Sequence, residues 1–142
     1  MRDPEVTRRI MAAVKSRDTK AEIALRQALW RRGLRFRVHS QLPGKPDIVF
    51  PTAHVAIFVD GDFWHGNSWL VRGMPSFDAQ FERMNNSEFW RKKIRKNMTR
   101  DEEVTRALEV MGWTVYRVFE SRLQKHLSDV ADEVECLVRS HQ

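Results

Sequence analysis

PDIVFPTAHVAIFVDGDFWH, residues 46–65, decides the fold. It reads as two strands joined by a tight turn and followed by a loop. Val49, Val55, Ile57 and Val59 are β-branched and Phe50 and Phe58 flank them, a composition that suits a pleated surface. Pro51 and Thr52 supply the turn. Asp47 opens the first strand, and Asp60 closes the second. Acids at the ends of adjacent strands can converge on one point. Oxygen ligands held that way suit a hard divalent cation such as magnesium. His65, five residues on, can take the proton of an attacking water.

Composition bounds the rest. A chain of 142 residues with 42% apolar content is long enough to bury a core, and one domain spanning 1–142 is expected. The 31% charged content, and the lack of any apolar run near the ~20 residues of a spanning helix, argue against a membrane protein. The N-terminus MRDPEVTRR carries no apolar stretch after its charges, so no secretory leader is expected there. The single cysteine, Cys136, excludes an internal disulfide and cannot build a thiolate cage alone. A cytoplasmic, nucleoid-associated protein is the simplest expectation. The net charge of +6 is clustered rather than spread, which favours a phosphate-rich partner.

Outward from residues 46–65, the periodicity predicts helices on both sides. Residues 4–15 carry Val6, Ile10, Met11 and Val14 at helical spacing, with Arg8, Arg9 and Lys15 around them. Residues 1–16 either lie along a DNA backbone or pack as an ordinary helix. Thr19 to Arg32 is a second helix, with Thr19 and Glu22 in a capping-box pattern and Gly33 as the stop. Glu22 is read as a cap, or as an acid of the site. A short strand covers Phe36 to His39. Residues 61–76 form an irregular loop carrying Phe63, Trp64 and Trp69, aromatics that either wedge between base steps or fold back over the core. Ser87 to Met111 is one long helix or two in succession. It holds Arg91, Lys92, Lys93, Arg95, Lys96 and Arg100, the densest basic patch and the first candidate for phosphate contacts. A strand over Trp113 to Phe119 and a helix over Ser128 to Ser140 close the chain, with Cys136 a passive small residue in that helix. The fold class is α/β, a central mixed sheet flanked by helices.

PGKPDIVF, VAIFVDGDFWHG, EFWRKKIRKNMTRDEEV and LEVMGWTVYRVFE together resemble the very short patch repair (Vsr) endonucleases, a family of the restriction-endonuclease-like superfamily. The likeness runs from about Thr7 to Glu120. It implies a restriction-endonuclease-like core. It also implies magnesium-dependent nicking of double-stranded DNA 5′ of the thymine in a thymine–guanine mismatch. Asp47 matches the metal-binding aspartate, and Asp60 the second metal position with the Val59 carbonyl beside it. His65 matches the general base and Glu22 an active-site glutamate. Phe63, Trp64 and Trp90 match intercalating aromatics. A monomer is expected, with mismatch-repair factors as further partners.

The sequence departs from the family at one place. The positions that match the cysteine and histidine ligands of a structural zinc read Asp62, Asn67, Trp69 and Ser121. No zinc is expected, and the loop should be held by packing, with Trp69 filling space. The superfamily's lysine after the second acid is replaced by Asp62. Two other functions stay open. One is a related nuclease with a different target, in restriction or phage defence, which the lost cage favours. The other is a DNA-binding module without catalysis, against which Asp47, Asp60, His65 and Glu22 together argue.

Overall fold

The computed structural model describes residues 19–82 and 84–142. The helix expected over 4–15 lies outside them. Helix α1 (Lys20–Arg31) begins as its sequence requires: the Thr19 hydroxyl accepts from the Glu22 N–H at 3.3 Å. Gly33, at φ +83°, lets the chain turn away after the last helical residue. Ala21, Leu25 and Leu29 form the buried face.

Strands β1 (Arg37–Val38), β2 (Ile48–Phe50), β3 (Val55–Asp60) and β4 (Thr114–Phe119) form one sheet in the order β1-β2-β3-β4. β1 is two residues rather than the expected four, because His39 turns into positive φ. β2 and β3 are the expected antiparallel pair, with Ile48 opposite Ile57 and Phe50 opposite Val55. β4 runs parallel to β3, from Val55 opposite Thr114 to Asp60 opposite Phe119. The sheet is therefore mixed.

Helices cover both sheet faces, which is why β2 and β3 read as nearly continuous apolar runs. Ile48, Phe50, Val55, Ile57 and Val118 pack with α1 and with α5 (Leu127–Ser140). Val49, Ala56 and Phe58 pack with Leu108 of helix α3 (Ser87–Val110). Helix α3 is a single uninterrupted helix of 24 residues and carries the chain from β3 to β4. Three elements escape the sequence reading. A one-turn helix α2 (Ser68–Val71) and a 3₁₀ turn (Asp78–Phe81) interrupt the region between β3 and α3, and α4 (Glu120–Lys125) precedes α5. Cys136 is exposed on α5 rather than buried with its apolar neighbours. Among the described residues no helix is long and apolar enough to cross a membrane.

Candidate active site

The hairpin puts Asp47 beside the far end of β3. Its N–H donates to the Ile57 carbonyl at 2.9 Å, which continues the β2–β3 ladder by one residue. Its carboxylate then accepts from the Val59 N–H at 2.7 Å. Burial pushes the Asp47 carboxyl up to about 7; the Val59 N–H opposes the shift, and the charges of Glu22 and Asp60 add to it. Glu22 reaches this point from α1. It is 2% exposed and lies 3.4 Å from Arg26 of the same helix. The cap therefore uses the Glu22 backbone, and its carboxylate is turned inward.

Asp60 points to the face covered by α3. The parallel register sets Arg117 of β4 opposite Phe58, one pleat from Asp60. The Arg117 guanidinium stacks 4.0 Å from the Phe58 ring centroid, and Nη1 donates to both Asp60 oxygens at 3.0 and 3.2 Å. Burial raises the Asp60 pKa, against the charges of His65 and Arg117. His65 stands on the other side of that carboxylate, with Nε2 3.7 Å from Asp60 Oδ1. Its Nδ1 is hydrogen-bonded to Asp101 of α3. A carboxylate can only accept, so Nδ1 carries the proton and Nε2 is the nitrogen left to act on a water. Burial disfavours the charged imidazole, but the Asp101 hydrogen bond and the charges of Asp60 and Asp101 outweigh it, and the His65 pKa lies above its ordinary value. Asp60, His65 and Asp101 offer ligand atoms within 4.8 Å of one another, a set that could hold a metal ion. These groups already satisfy one another and Arg117, so the stronger demand for a cation lies at Asp47.

The loop after β3 is pinned to α3. Asn97 donates to the Trp64 carbonyl at 3.1 Å. Gly66 sits so close to Met98 that a Cβ there would lie 2.3 Å from the sulfur, and its φ is +80°. Phe63, Trp64 and Trp90 form a three-ring cluster with centroids 5.4 to 5.9 Å apart, all edge to face. Phe89, which the sequence reading passes over, joins it at 5.2 Å from Trp90 and is 58% exposed.

The family model for the DNA mismatch endonuclease Vsr matches residues 1–71. The chain is 42% identical over 140 residues to the type II nicking enzyme V.NmeDIP of Neisseria meningitidis serogroup C, covering 98% of this chain and 90% of that one. It is 34% identical to the type II nicking enzyme V.HpaIIP of Haemophilus parainfluenzae, over 93% and 90% of the two chains. It is 36% identical to the DNA mismatch endonuclease Vsr of Escherichia coli, over 80% and 69%. The chain belongs to the Vsr family. It is an endonuclease acting on DNA, of the nicking kind, on a restriction-endonuclease-like α/β core.

Asp62, Asn67 and Ser121, three of the four positions that the resemblance matched to zinc ligands, are hydrogen-bonded together. The Asp62 carboxylate accepts from Asn67 Nδ2 at 2.8 Å, from the Ser121 N–H at 3.0 Å and from the Ser121 hydroxyl at 2.7 Å. A polar brace thus ties the loop to the start of α4, alongside the packing of Gly66 on Met98; Trp69 is half-buried on α2.

The basic run of α3 divides around the helix, which turns by about 100° per residue. Trp90, Ile94, Asn97 and Asp101 share the face turned to the loop and sheet. Lys92 and Lys96 lie on the opposite side, and Lys93 and Arg100 flank one edge. Arg91 and Arg95 flank the other edge, where both pair with Asp78, at 3.0 and 3.3 Å. Asp101 and Arg117 are the residues of the Vsr-like site that sequence reasoning misses. The available signal was a lone arginine in TVYRVF, a strand otherwise apolar after its first residue.

Proposed function

We propose that this endonuclease nicks double-stranded DNA on the 5′ side of the thymine in a T:G mismatch, as a step of very short patch DNA repair, with magnesium as its cofactor. One observation carries the reading. Phe63, Trp64 and His65 are consecutive on one loop and Trp90 of α3 packs against the first two, so a wedge opened by these rings sets the neighbouring backbone beside the general base. A wobble mismatch stacks less well than a correct pair and costs less to open, which favours that site.

Oxygen donors suit a hard divalent ion. Asp47, Asp60 and the Val59 carbonyl would hold it, and the Asp47 carboxyl, raised to about 7 by burial and by the charges of Glu22 and Asp60, is relieved by a cation. When bound, magnesium supplies Lewis-acid stabilisation of charge on the phosphate. The chain's own groups do the rest. His65 takes the water's proton on Nε2, oriented by Asp101 through Nδ1. Glu22, buried against Arg26, orients that water or an outer ligand of the ion. A second reading, a family nuclease with a different DNA target, is favoured by the relatives named as type II nicking enzymes.

One sequence prepared as T:G, U:G and fully paired duplexes separates the two readings. Nicking of the first two alone supports mismatch repair. Equal nicking of all three supports the second reading. An Asp47→Ala variant that nicks as fast as wild type refutes the site itself.

A further inference from the structure

Four strand ends share one edge of the sheet, because β2 runs antiparallel to both β1 and β3, and β4 runs parallel to β3. In strand order that edge presents His39 after β1, Asp47 before β2, Asp60 at the end of β3 and Ser121 beyond β4. The loop that carries Phe63 and Trp64 leaves after β3 and is held on α3. On the other side of Asp47, toward β1, a cavity of about 450 Å³ opens. Arg26 of α1 lines it, with His39, Ser40, Gly44, Lys45 and Asp47 itself. Asp47 therefore stands between the rings and this cavity.

The chain that builds the cavity is of one sign. Residues 23–46 carry Arg26, Arg31, Arg32, Arg35, Arg37 and Lys45 and no aspartate or glutamate. Arg32 is taken up by Asp132 and Glu135, and Arg35 by the carbonyls of Trp30 and Leu34. Arg26 lies 3.4 Å from Glu22, and its charge acts on Asp47. Lys45 is exposed at the cavity and has no acidic partner among the described residues. Its backbone is also held where a lysine is poorly suited. Gly44 and Lys45 are both left-handed, at φ +75° and +50°. The Lys45 N–H closes the turn on the Leu42 carbonyl at 2.8 Å. A Cβ on Gly44 would lie 2.4 Å from Val104 of α3, so the turn is pressed against that helix. Glycine would occupy position 45 with less strain than lysine. Residues held in that region cluster where a site uses their side chains.

We propose that this cavity seats the DNA phosphate that precedes the scissile one, on the 5′ side of the nick, with the Lys45 ammonium as its main contact and Arg26 behind it. This rests on the mismatch reading above and deepens it. A nick 5′ of a thymine beside the wedge puts the thymine toward the rings and its 5′ neighbour toward β1. Adjacent strands lie about 4.8 Å apart, and one DNA strand advances about 3.4 Å along the helix axis per nucleotide. The step from β2 to β1 is thus about one nucleotide, which selects the neighbouring phosphate over more distant ones. A strand held on both sides of Asp47 keeps the scissile phosphate in place while the stack is opened.

The test removes one phosphate charge at a time. A T:G duplex carries a single neutral methylphosphonate at one of the two linkages 5′ or the two linkages 3′ of the scissile phosphate, with the cut mapped beforehand by wild type and magnesium. Affinity is measured in a chelator, so that no strand breaks, for wild type, Lys45→Ala, Lys45→Gly, Lys45→Arg and Lys93→Ala. Wild type should lose about tenfold in affinity at the linkage just 5′ of the scissile one, the scale of one charge-assisted hydrogen bond. Lys45→Ala and Lys45→Gly should bind the unmodified duplex about tenfold more weakly and lose nothing further at that linkage. Lys45→Arg keeps the charge and Lys93→Ala lies on α3, so both should show the full wild-type loss. Lys45→Gly should melt no lower than Lys45→Ala, which separates a lost contact from a damaged turn. A loss that the Lys45 variants mask at a 3′ linkage, or at none, overturns the proposal, as does Lys45→Gly melting below Lys45→Ala. A cut mapped away from the thymine overturns the mismatch reading instead, and the masked linkage is still counted from that cut.

Discussion

Asp47 sets function against stability, and Asp47→Asn exposes the conflict. In the unfolded chain this carboxyl ionises near 3.8, and in the folded protein at about 7, mainly because it is buried. Between those values the folded state keeps a proton that the unfolded state has lost. Stability therefore falls as pH rises through that window, and the full penalty is present above about 7. A gap of about three units corresponds to about 4 kcal/mol. At about pH 5 only about one unit of the gap is felt, so moving to about pH 8.5 should cost the wild type about 3 kcal/mol through this group. The asparagine side chain has nearly the same shape, and its amide oxygen can still accept from the Val59 N–H, but it never ionises. The assay is urea unfolding of both proteins in a chelator at the two pH values. The variant should be the more stable at both, by about 3 kcal/mol more at the higher pH, and should not nick DNA. Magnesium should stabilise the wild type at high pH and leave the variant unchanged, because an ion bound only by the folded state adds stability by mass action. A stability difference that is the same at both pH values would refute the assignment of Asp47 as the buried, uncompensated acid.

Other perturbations test the neighbouring groups. Asp101→Asn removes the partner that raises His65, so the acid limb of the nicking rate should move to lower pH while the rate falls about 10²- to 10³-fold; an unmoved limb refutes the pairing. Ser121→Ala removes the hydroxyl bond to Asp62 and should cost about 1 kcal/mol in thermal unfolding, equally with and without chelator; a chelator-dependent loss would mean that a metal holds the loop. Lys93→Ala and Arg100→Ala should each lower the salt slope of duplex binding by about one, and Lys92→Ala and Lys96→Ala by less, in filter binding from low to moderate salt; equal slopes refute the division of the helix faces.

The parts legible in the sequence were those whose causes are local. The hairpin of β2 and β3 follows from β-branched residues around a proline turn, and α1 from a threonine cap and an apolar stripe. Helix α2 escapes because four residues between glycines show no period. Helix α4 escapes because it buries only Leu123. Asp101 was hidden as the first of three consecutive acids after a basic run. Arg117 was hidden for a deeper reason. Its partner, Asp60, is 57 residues away, and only the parallel register of β3 and β4 brings them together. Spacing along a chain does not carry that information, because the register depends on α3, which returns the chain to the sheet.

That register also explains how the loop is tied to the strand ends. β3 and β4 end level, with Asp60 opposite Phe119, so the residues two beyond each end, Asp62 and Ser121, emerge side by side. Ligands in α/β sheets gather outside the carboxyl ends of parallel strands, where such loops meet. Here Ser121 ties the two strand ends together through its N–H and its hydroxyl, and Asn67 braces the same Asp62 carboxylate from within the loop. Asn97 and the close approach of Gly66 to Met98 tie the loop to α3. The wedge and the base are thus carried on a loop fixed from two directions by the same strands that position Asp60 and Arg117. Loosening the strand ends should therefore disturb the aromatic cluster and His65 together, whereas a loop held by an independent metal could lose one and keep the other.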